Sequence, residues 1–490
     1  MSAAQEFRDA VRRYAFDFER PAGEDMWSPR LEQMARPELE QVQSHKLAAA
    51  YRYLYENSAY YRERFRAAGL GPTDVRGLAD LRRVPITRKH DWIPSIESHP
   101  PWGTFSPITD ERWASGAAWM IFSTSGTTRR PRVFRHTSFD RETWSWMCAR
   151  ALWSYGVRPG QLAMNCFYYG SSVAAWGMHH GLERLGCALV PGGPMPTERR
   201  AFFIETLRPQ VLLGTPSGLL SLARRLTELH GDARTKGVRT LVCAGEPGAA
   251  VPATRARLEE AWGAEVHDDF GCTEAAQAPL GFTCRHAVQP DGKIDVHLME
   301  DAHIVEVVDP VTYEPVPEGQ RGILVVSNLY SEGSPYLRFE IGDWVELTRA
   351  PCRCGRTFAR ARGGLLGRDD HCLKIKGLQF FPGTFEDVLR AIPGVGDEYR
   401  IEVLTGDGGA GGPPESSVPN HRLERDHVRL VTEPASGASL TVEEITARLR
   451  GLLGIQVEVQ LLPTGTLPRT EGKGQRFFDR RAERTRKEQS

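Results

Sequence analysis

The chain lacks any apolar run near the roughly 18 residues a membrane-crossing helix needs. Its first residues, Met1 to Asp9, carry no apolar core of the kind a signal peptide shows, so no export segment is expected. It also lacks a charge excess: 62 Lys and Arg balance 62 Asp and Glu. No global field therefore draws it to nucleic acid or a membrane surface, and no basic-aromatic strip compensates. Cysteine is sparse, and the nine present are odd in number and scattered. That argues against a disulfide framework and for a reducing, cytoplasmic setting. No internal repeat occurs. What remains is ordinary soluble composition, 40% hydrophobic and 25% charged, over 490 residues, enough for two or three domains.

The most informative stretch present is Met120 to Val133. Met120, Ile121 and Phe122 read as the end of a buried strand. Ser123, Thr124, Ser125, Thr127 and Thr128 then surround Gly126, and Arg129, Arg130 and Arg132 follow. Hydroxyls and free backbone N–H groups at a glycine turn cradle phosphate oxygens, and nearby cations offset their charge. The stretch has neither the second glycine nor the Gly-Lys pair of the Walker-type loop, and a polar surface turn is the plain alternative.

Residues 1–95 read as mainly helical, with the apolar stripe of Leu39 to Leu54 continued by Tyr60, Tyr61 and Phe65. From 115 to 345, short apolar strands alternate with amphipathic helices, which predicts an α/β fold with helix-covered, mostly parallel sheets. Ligands of such sheets sit beyond the carboxyl ends of the strands. There the sequence places Thr215-Pro216-Ser217, Gly245-Glu246-Pro247 and Asp268 through Glu274. Residues 304–366 turn strand-rich. Gly367 to His371 reads as a hinge, which divides the chain into 1–368 and a small α+β unit over 369–490. In that unit a strand over 373–381, a helix over 384–391, two strands and a helix over 442–453 are expected. Residues 405–424, rich in Gly, Pro and Ser, are expected to form a loop.

In this order and spacing the motifs resemble the adenylate-forming superfamily of acyl-CoA synthetases, luciferases and adenylation domains, most nearly its phenylacetate–CoA ligase branch. The resemblance runs from Tyr60–Phe65 and Pro85–Lys89 to Leu467–Gly474. It implies that Ser123, Thr124, Ser125, Gly126, Thr127 and Thr128 hold the β- and γ-phosphates of ATP. Gly245, Glu246 and Pro247 would lie against adenine. In the segment Asp269, Phe270, Gly271, Cys272, Thr273, Glu274, the aromatic ring would stack on adenine, Thr273 approach the α-phosphate and Glu274 hold Mg²⁺. Asp343 would bind the ribose, Arg368 in the hinge motif would also bind the nucleotide, Asp370 would be the pivot, and Lys473 would bridge the acid and the α-phosphate. Departures from the pattern are Arg129, Arg132, Gly248 and His371.

The activity so implied is AMP-forming activation of a small carboxylic acid, then transfer to coenzyme A. A carrier-protein thiol, an amine or an N–N bond-forming partner stays open as acceptor, and a homodimer as assembly. Tyr168, Tyr169 and Gly170 are candidates for an aromatic acid pocket, with plain core packing equally open, and His179 and His180 follow them on the next helix. Two close pairs, Cys284 with His286 and Cys352 with Cys354, suit a tetrahedral Zn²⁺ site, with His297 an alternative ligand and reduced thiols the bland reading.

Overall fold

The computed structural model describes residues 1–124, 132–171, 173–246, 248–368, 373–375, 378–380, 389, 392–405, 426–453, 457–468 and 476–479. Ser125, Gly126, Thr127, Thr128, Pro247, Asp370, His371 and Lys473 lie outside them, as do 406–425 and all of the helix expected over 384–391 except Leu389.

The N-terminal region is helical as its spacing requires. The helix Arg36–Asn57 carries Pro37 in its first turn, which its fixed φ suits, and it buries Leu39, Leu47, Ala50, Tyr51 and Leu54 along one side. It stops at Ser58, whose hydroxyl accepts from the Tyr61 N–H at 3.2 Å and so caps the next helix, Ala59–Ala67. Thr87 then bridges to Phe339, tying the Pro85–Lys89 stretch to a sheet edge.

Strands β1 (Ala118–Ser123) and β2 (Val133–Thr137) form an antiparallel hairpin around the phosphate-loop sequence, in register Ser123↔Val133. Within β1 only Phe122 is buried, so this is a half-exposed ribbon rather than the buried strand expected. The cause is its position: it pairs with β2 alone and joins no larger sheet.

The main sheet begins parallel, with β4 (Ala188–Pro191), β3 (Leu162–Asn165), β5 (Val211–Gly214), β6 (Thr240–Cys243) and β7 (Glu265–Cys272) side by side. The buried β3, β5, β6 and β7, the half-exposed edge strand β4 and the intervening helices match the α/β expectation. At β7 the sheet changes character. β8 (Ala276–Phe282) folds back antiparallel, and β9 (Val296–Leu298), β13 (Arg360–Ala361), β12 (Phe339–Thr348), β11 (Arg321–Asn328) and β10 (His303–Val308) continue the sheet in antiparallel pairs. The sheet is therefore parallel in one half and antiparallel in the other, and the antiparallel half takes in the strand-rich stretch expected over 304–366. Between β7 and β14 no helix intervenes, so the helical crossovers that join parallel strands are lacking there.

β14 (Gly367–Arg368) pairs with β12. Where one strand was expected over 373–381, β15 (Leu373–Ile375) and β16 (Leu378–Phe380) pair antiparallel. β17 (Val395–Thr405) and β18 (Asp426–Pro434) pair antiparallel, flanked in parallel by β20 (Phe477–Asp479) and β19 (Val457–Leu461). With the helix Val442–Leu453 they enclose a separate core that includes Ile401, Val403, Leu430 and Leu449. Asp397 of β17 meets Arg224, at 2.7 Å, and Arg257 of the larger body.

Candidate active site

Among the described residues, the neck of the β1–β2 loop meets Glu274 just beyond the end of β7. The neck of the β1–β2 loop is closed by two hydrogen bonds: Thr124 N–H to the Arg132 carbonyl, and Arg132 N–H to Thr124 Oγ1, both 3.0 Å. From that neck the Arg132 guanidinium reaches Glu274 Oε1 at 3.4 Å and donates to the Lys89 carbonyl at 3.2 Å. Among the described residues its buried Nε has no hydrogen-bond partner. Glu274 is itself buried. The carbonyls of Thr273 and Glu274 are both held by the Gln277 side-chain amide, at 3.0 and 2.8 Å, so the turn after β7 is fixed before any ligand arrives. Gly271 is required there, since a Cβ would lie 2.4 Å from the Ala276 carbonyl.

Phe270 is buried with its ring across Gly281, where a Cβ would meet it at 2.0 Å. Asp269 points inward and accepts from the Tyr155 hydroxyl at 3.0 Å. Burial pushes its carboxyl up to about 8, and that of Asp268 up to about 7. Asp269 is thus a neutral interior acid at pH 7, engaged by Tyr155. Glu246 accepts from Ser217 N–H at 2.7 Å and caps the helix Pro216–His230, so its carboxylate serves that helix while Gly245, at φ 90°, turns the chain past the end of β6. Asp343 stands opposite Arg368 in the β12–β14 pair, which joins the expected ribose ligand to the chain entering the hinge.

Ser123 hydrogen-bonds Ser171 through both backbone and hydroxyl, at 2.9 and 2.5 Å, which brings the end of β1 beside Tyr168–Gly170. Tyr168 is 72% exposed and lines no core. Tyr169 is half-buried, edge-on to Trp176, and its hydroxyl meets His179 Nδ1 at 3.1 Å. The Trp176 indole holds the Tyr169 and Gly170 carbonyls, at 2.9 and 3.1 Å. Trp176 and Gln277 were not singled out from sequence, because neither belongs to a motif; only the folded contacts mark them.

The Cys/His cluster forms, with one change. The ligand atoms of Cys284, His297, Cys352 and Cys354 all lie within 4.8 Å of one another. Cys284 and Cys352 sulfurs are 3.8 Å apart, and Cys354 Sγ is 3.3 Å from His297 Nε2. His286 is exposed and outside the cluster. The β8–β9 pairing sets Phe282 opposite His297, so the imidazole two residues from Cys284 across the sheet replaces the one two residues along the chain.

Residues 49–330 match the family described as AMP-binding enzyme, and 377–481 its C-terminal domain. The chain is 34% identical to the phenylacetate-coenzyme A ligase of Thermus thermophilus over 93% of its own length and all of that protein's. The chain belongs to the AMP-binding enzyme family. Within this adenylate-forming family it lies in the phenylacetate–CoA ligase branch, since the Escherichia coli phenylacetate-coenzyme A ligase is also 29% identical over 91% of the chain and 95% of that protein. Among solved structures, 2-hydroxyisobutyryl-CoA ligase in its postadenylation state with 2-HIB-AMP superposes with a TM-score of 0.82, at 28% identity over 96% of this chain and 95% of that one. The same ligase in its thioesterification state, with 2-HIB-AMP and CoA, gives 0.67. Among the described residues of this family member, no helix is long and apolar enough to cross a membrane.

Proposed function

We propose that the chain joins a small aryl or arylalkyl carboxylic acid to coenzyme A through an acyl-adenylate. A carboxylate is a poor electrophile, so its oxygen first attacks the α-phosphorus of ATP. Pyrophosphate leaves, and the mixed anhydride then yields its acyl group to a thiol, releasing AMP. Such in-line transfer needs positioning and charge compensation more than proton transfer.

The observation that carries this reading is the meeting of Arg132, at the neck of the hydroxyl loop, with the buried Glu274 at 3.4 Å. The Arg132 Nε, without a partner among the described residues, is a donor suited to a departing pyrophosphate oxygen. Ser123, Thr124 and the loop 125–128 take the outer phosphates, Thr273 the α-phosphate and Asp343 the ribose. Glu274 presents hard oxygen donors of the kind Mg²⁺ takes, and the ion would offset charge on the phosphates. Lys473 positions the attacking oxygen. The closer superposition on a postadenylation structure than on a thioesterification one supports a C-terminal unit that turns about Asp370 between half-reactions. Tyr169, beside Ser171, forms one wall of the acid pocket; Tyr168, mostly exposed, sits at its rim.

The Cys284, His297, Cys352 and Cys354 cluster would hold Zn²⁺ as a structural cross-link between β8, β9 and the turn before β13. Zn–S bonds of about 2.3 Å place sulfurs about 3.8 Å apart across a tetrahedron, and Cys284 and Cys352 stand at that spacing.

The test is AMP release from ATP, Mg²⁺ and a panel of aryl, arylalkyl and aliphatic acids, with and without coenzyme A. The reading expects sustained turnover only with coenzyme A, and aryl or arylalkyl acids leading the panel. Turnover that ignores coenzyme A would overturn the acceptor, and an aliphatic preference would overturn the pocket.

A further inference from the structure

Tyr169 is gripped by the helix that follows it, Val173–Leu185. Trp176, from the first turn of that helix, holds the carbonyls of Tyr169 and Gly170, and its ring lies edge-on to the tyrosine with 5.2 Å between centroids. On another flank the tyrosine ring lies against Gly193, where a Cβ would stand 2.8 Å from Tyr169 Cδ2. These contacts fix the backbone and the ring. The hydroxyl is held separately. It meets His179 Nδ1 at 3.1 Å, one turn beyond Trp176, and Asn165 at the end of β3 is hydrogen-bonded to it as well.

The direction of the bond to His179 is set one turn further along the same helix. His179 Nε2 faces Glu183 Oε1 at 3.3 Å, and the second oxygen of Glu183 takes His180 Nδ1 at 2.8 Å. Burial raises the Glu183 carboxyl, but the two imidazoles outweigh it, so the group is ionised at pH 7. A carboxylate only accepts, so the proton between this pair belongs to His179 Nε2. Burial pulls the His179 imidazole below its ordinary range, which leaves it neutral at pH 7. A neutral ring with its proton on Nε2 has a lone pair on Nδ1, and the Tyr169 hydroxyl donates to it. Tyr169, His179 and Glu183 thus form two hydrogen bonds in series, both pointing toward the exposed carboxylate.

We propose that His179 is a positioning residue of the acid pocket. Held by Glu183 in its Nε2–H form, it fixes the Tyr169 hydroxyl and takes up its proton. The wall then offers the acid an aromatic ring and no hydrogen-bond donor, so the acid is held there by packing, as suits an aryl group. This role rests on the reading of Tyr169 as a wall of that pocket.

The test is a double-mutant cycle on phenylacetate affinity, read calorimetrically without turnover, with AMP release followed beside it. His179→Leu and Tyr169→Phe should each weaken binding by up to about tenfold, the worth of one hydrogen bond that fixes a pocket wall. The double variant should bind no more weakly than the weaker single one, because His179 acts only through the hydroxyl. His179→Asn keeps an acceptor near the position of Nδ1 and should restore most of the loss, while ATP affinity stays unchanged throughout. Histidine nitrogen shifts in the NMR spectrum should place the His179 proton on Nε2, a preference that Glu183→Ala should lose. Additive losses in the double variant, undiminished binding in His179→Leu, a proton on Nδ1, or a parent chain that binds no phenylacetate would overturn the assignment. A parent chain that binds phenylacetate but forms no AMP would count against adenylation instead, and the cycle would still decide the role of His179.

Discussion

The Cys/His cluster offers the prediction whose size can be worked from the structure. A metal held by Cys284, His297, Cys352 and Cys354 closes a loop of ~70 residues between its outermost ligands. The chain-entropy relation for a covalent cross-link of that length gives about 4 kcal/mol of stabilisation, an upper figure because metal bonds exchange. At roughly 2 °C per kcal/mol for a large domain, loss of the link lowers the unfolding midpoint by ~8 °C. Loss also leaves three sulfur atoms and an imidazole crowded together, and the Cys354 thiol is held well below its ordinary range, first by its hydrogen bond with Cys284. The perturbation is Cys352→Ser, set beside His286→Ala as a control outside the cluster. The assays are metal content of protein purified without chelator, and thermal unfolding before and after a strong zinc chelator. One zinc per chain, a drop of several degrees on chelation, no further drop in Cys352→Ser and no effect of His286→Ala are expected. Metal-free protein with an unchanged midpoint would refute the reasoning, and loss of metal in His286→Ala would refute the choice of His297.

Further predictions concern the nucleotide site and the interior beside it. Glu274→Gln keeps size but removes the charge offered to Mg²⁺; it should cut adenylate formation by about 10²–10³-fold and weaken Mg²⁺ binding measured by titration, an outcome that rate loss alone would not support. Lys473→Ala should abolish adenylate formation yet still pass a pre-made acyl-adenylate to coenzyme A; equal loss of both half-reactions would reject the division of labour. Asp269 gives a pH prediction. Its folded value, about 8, lies above its unfolded value of 3.8, so the folded state binds more protons between them. Stability should therefore fall as pH rises through that window, by up to about 1.4 kcal/mol per unit for this one group. Asp269→Asn keeps the Tyr155 hydrogen bond and should flatten the slope of midpoint against pH; an unchanged slope would show that another group sets it.

Much of the fold was legible because its signals are local. The helices and parallel strands of 115–345 showed as amphipathic stretches alternating with short apolar runs such as Val211–Gly214 and Thr240–Cys243. The motif residues could be placed at strand ends for the same reason. The antiparallel continuation from β8 was not legible, since strand pairing depends on which edge is free and not on any residue pattern within the strand. His297 was passed over for His286 on the same ground: spacing along the chain favoured Cys284-x-His286, whereas the ligand is supplied through the β8–β9 register. Glu246 and Asp269 carry family-motif positions, yet their carboxyls cap a helix and bond Tyr155; sequence alone could not separate a side chain's own partner from the role of its backbone.

The central claim is that ATP is cut between its α- and β-phosphates by an attacking carboxylate. Acid-dependent exchange of labelled pyrophosphate into ATP, measured without coenzyme A, tests that step by itself. The account predicts exchange that requires Mg²⁺ and an acid of the accepted class, and that disappears in Lys473→Ala. Release of ADP and phosphate in place of exchange, or exchange indifferent to every acid supplied, would contradict it.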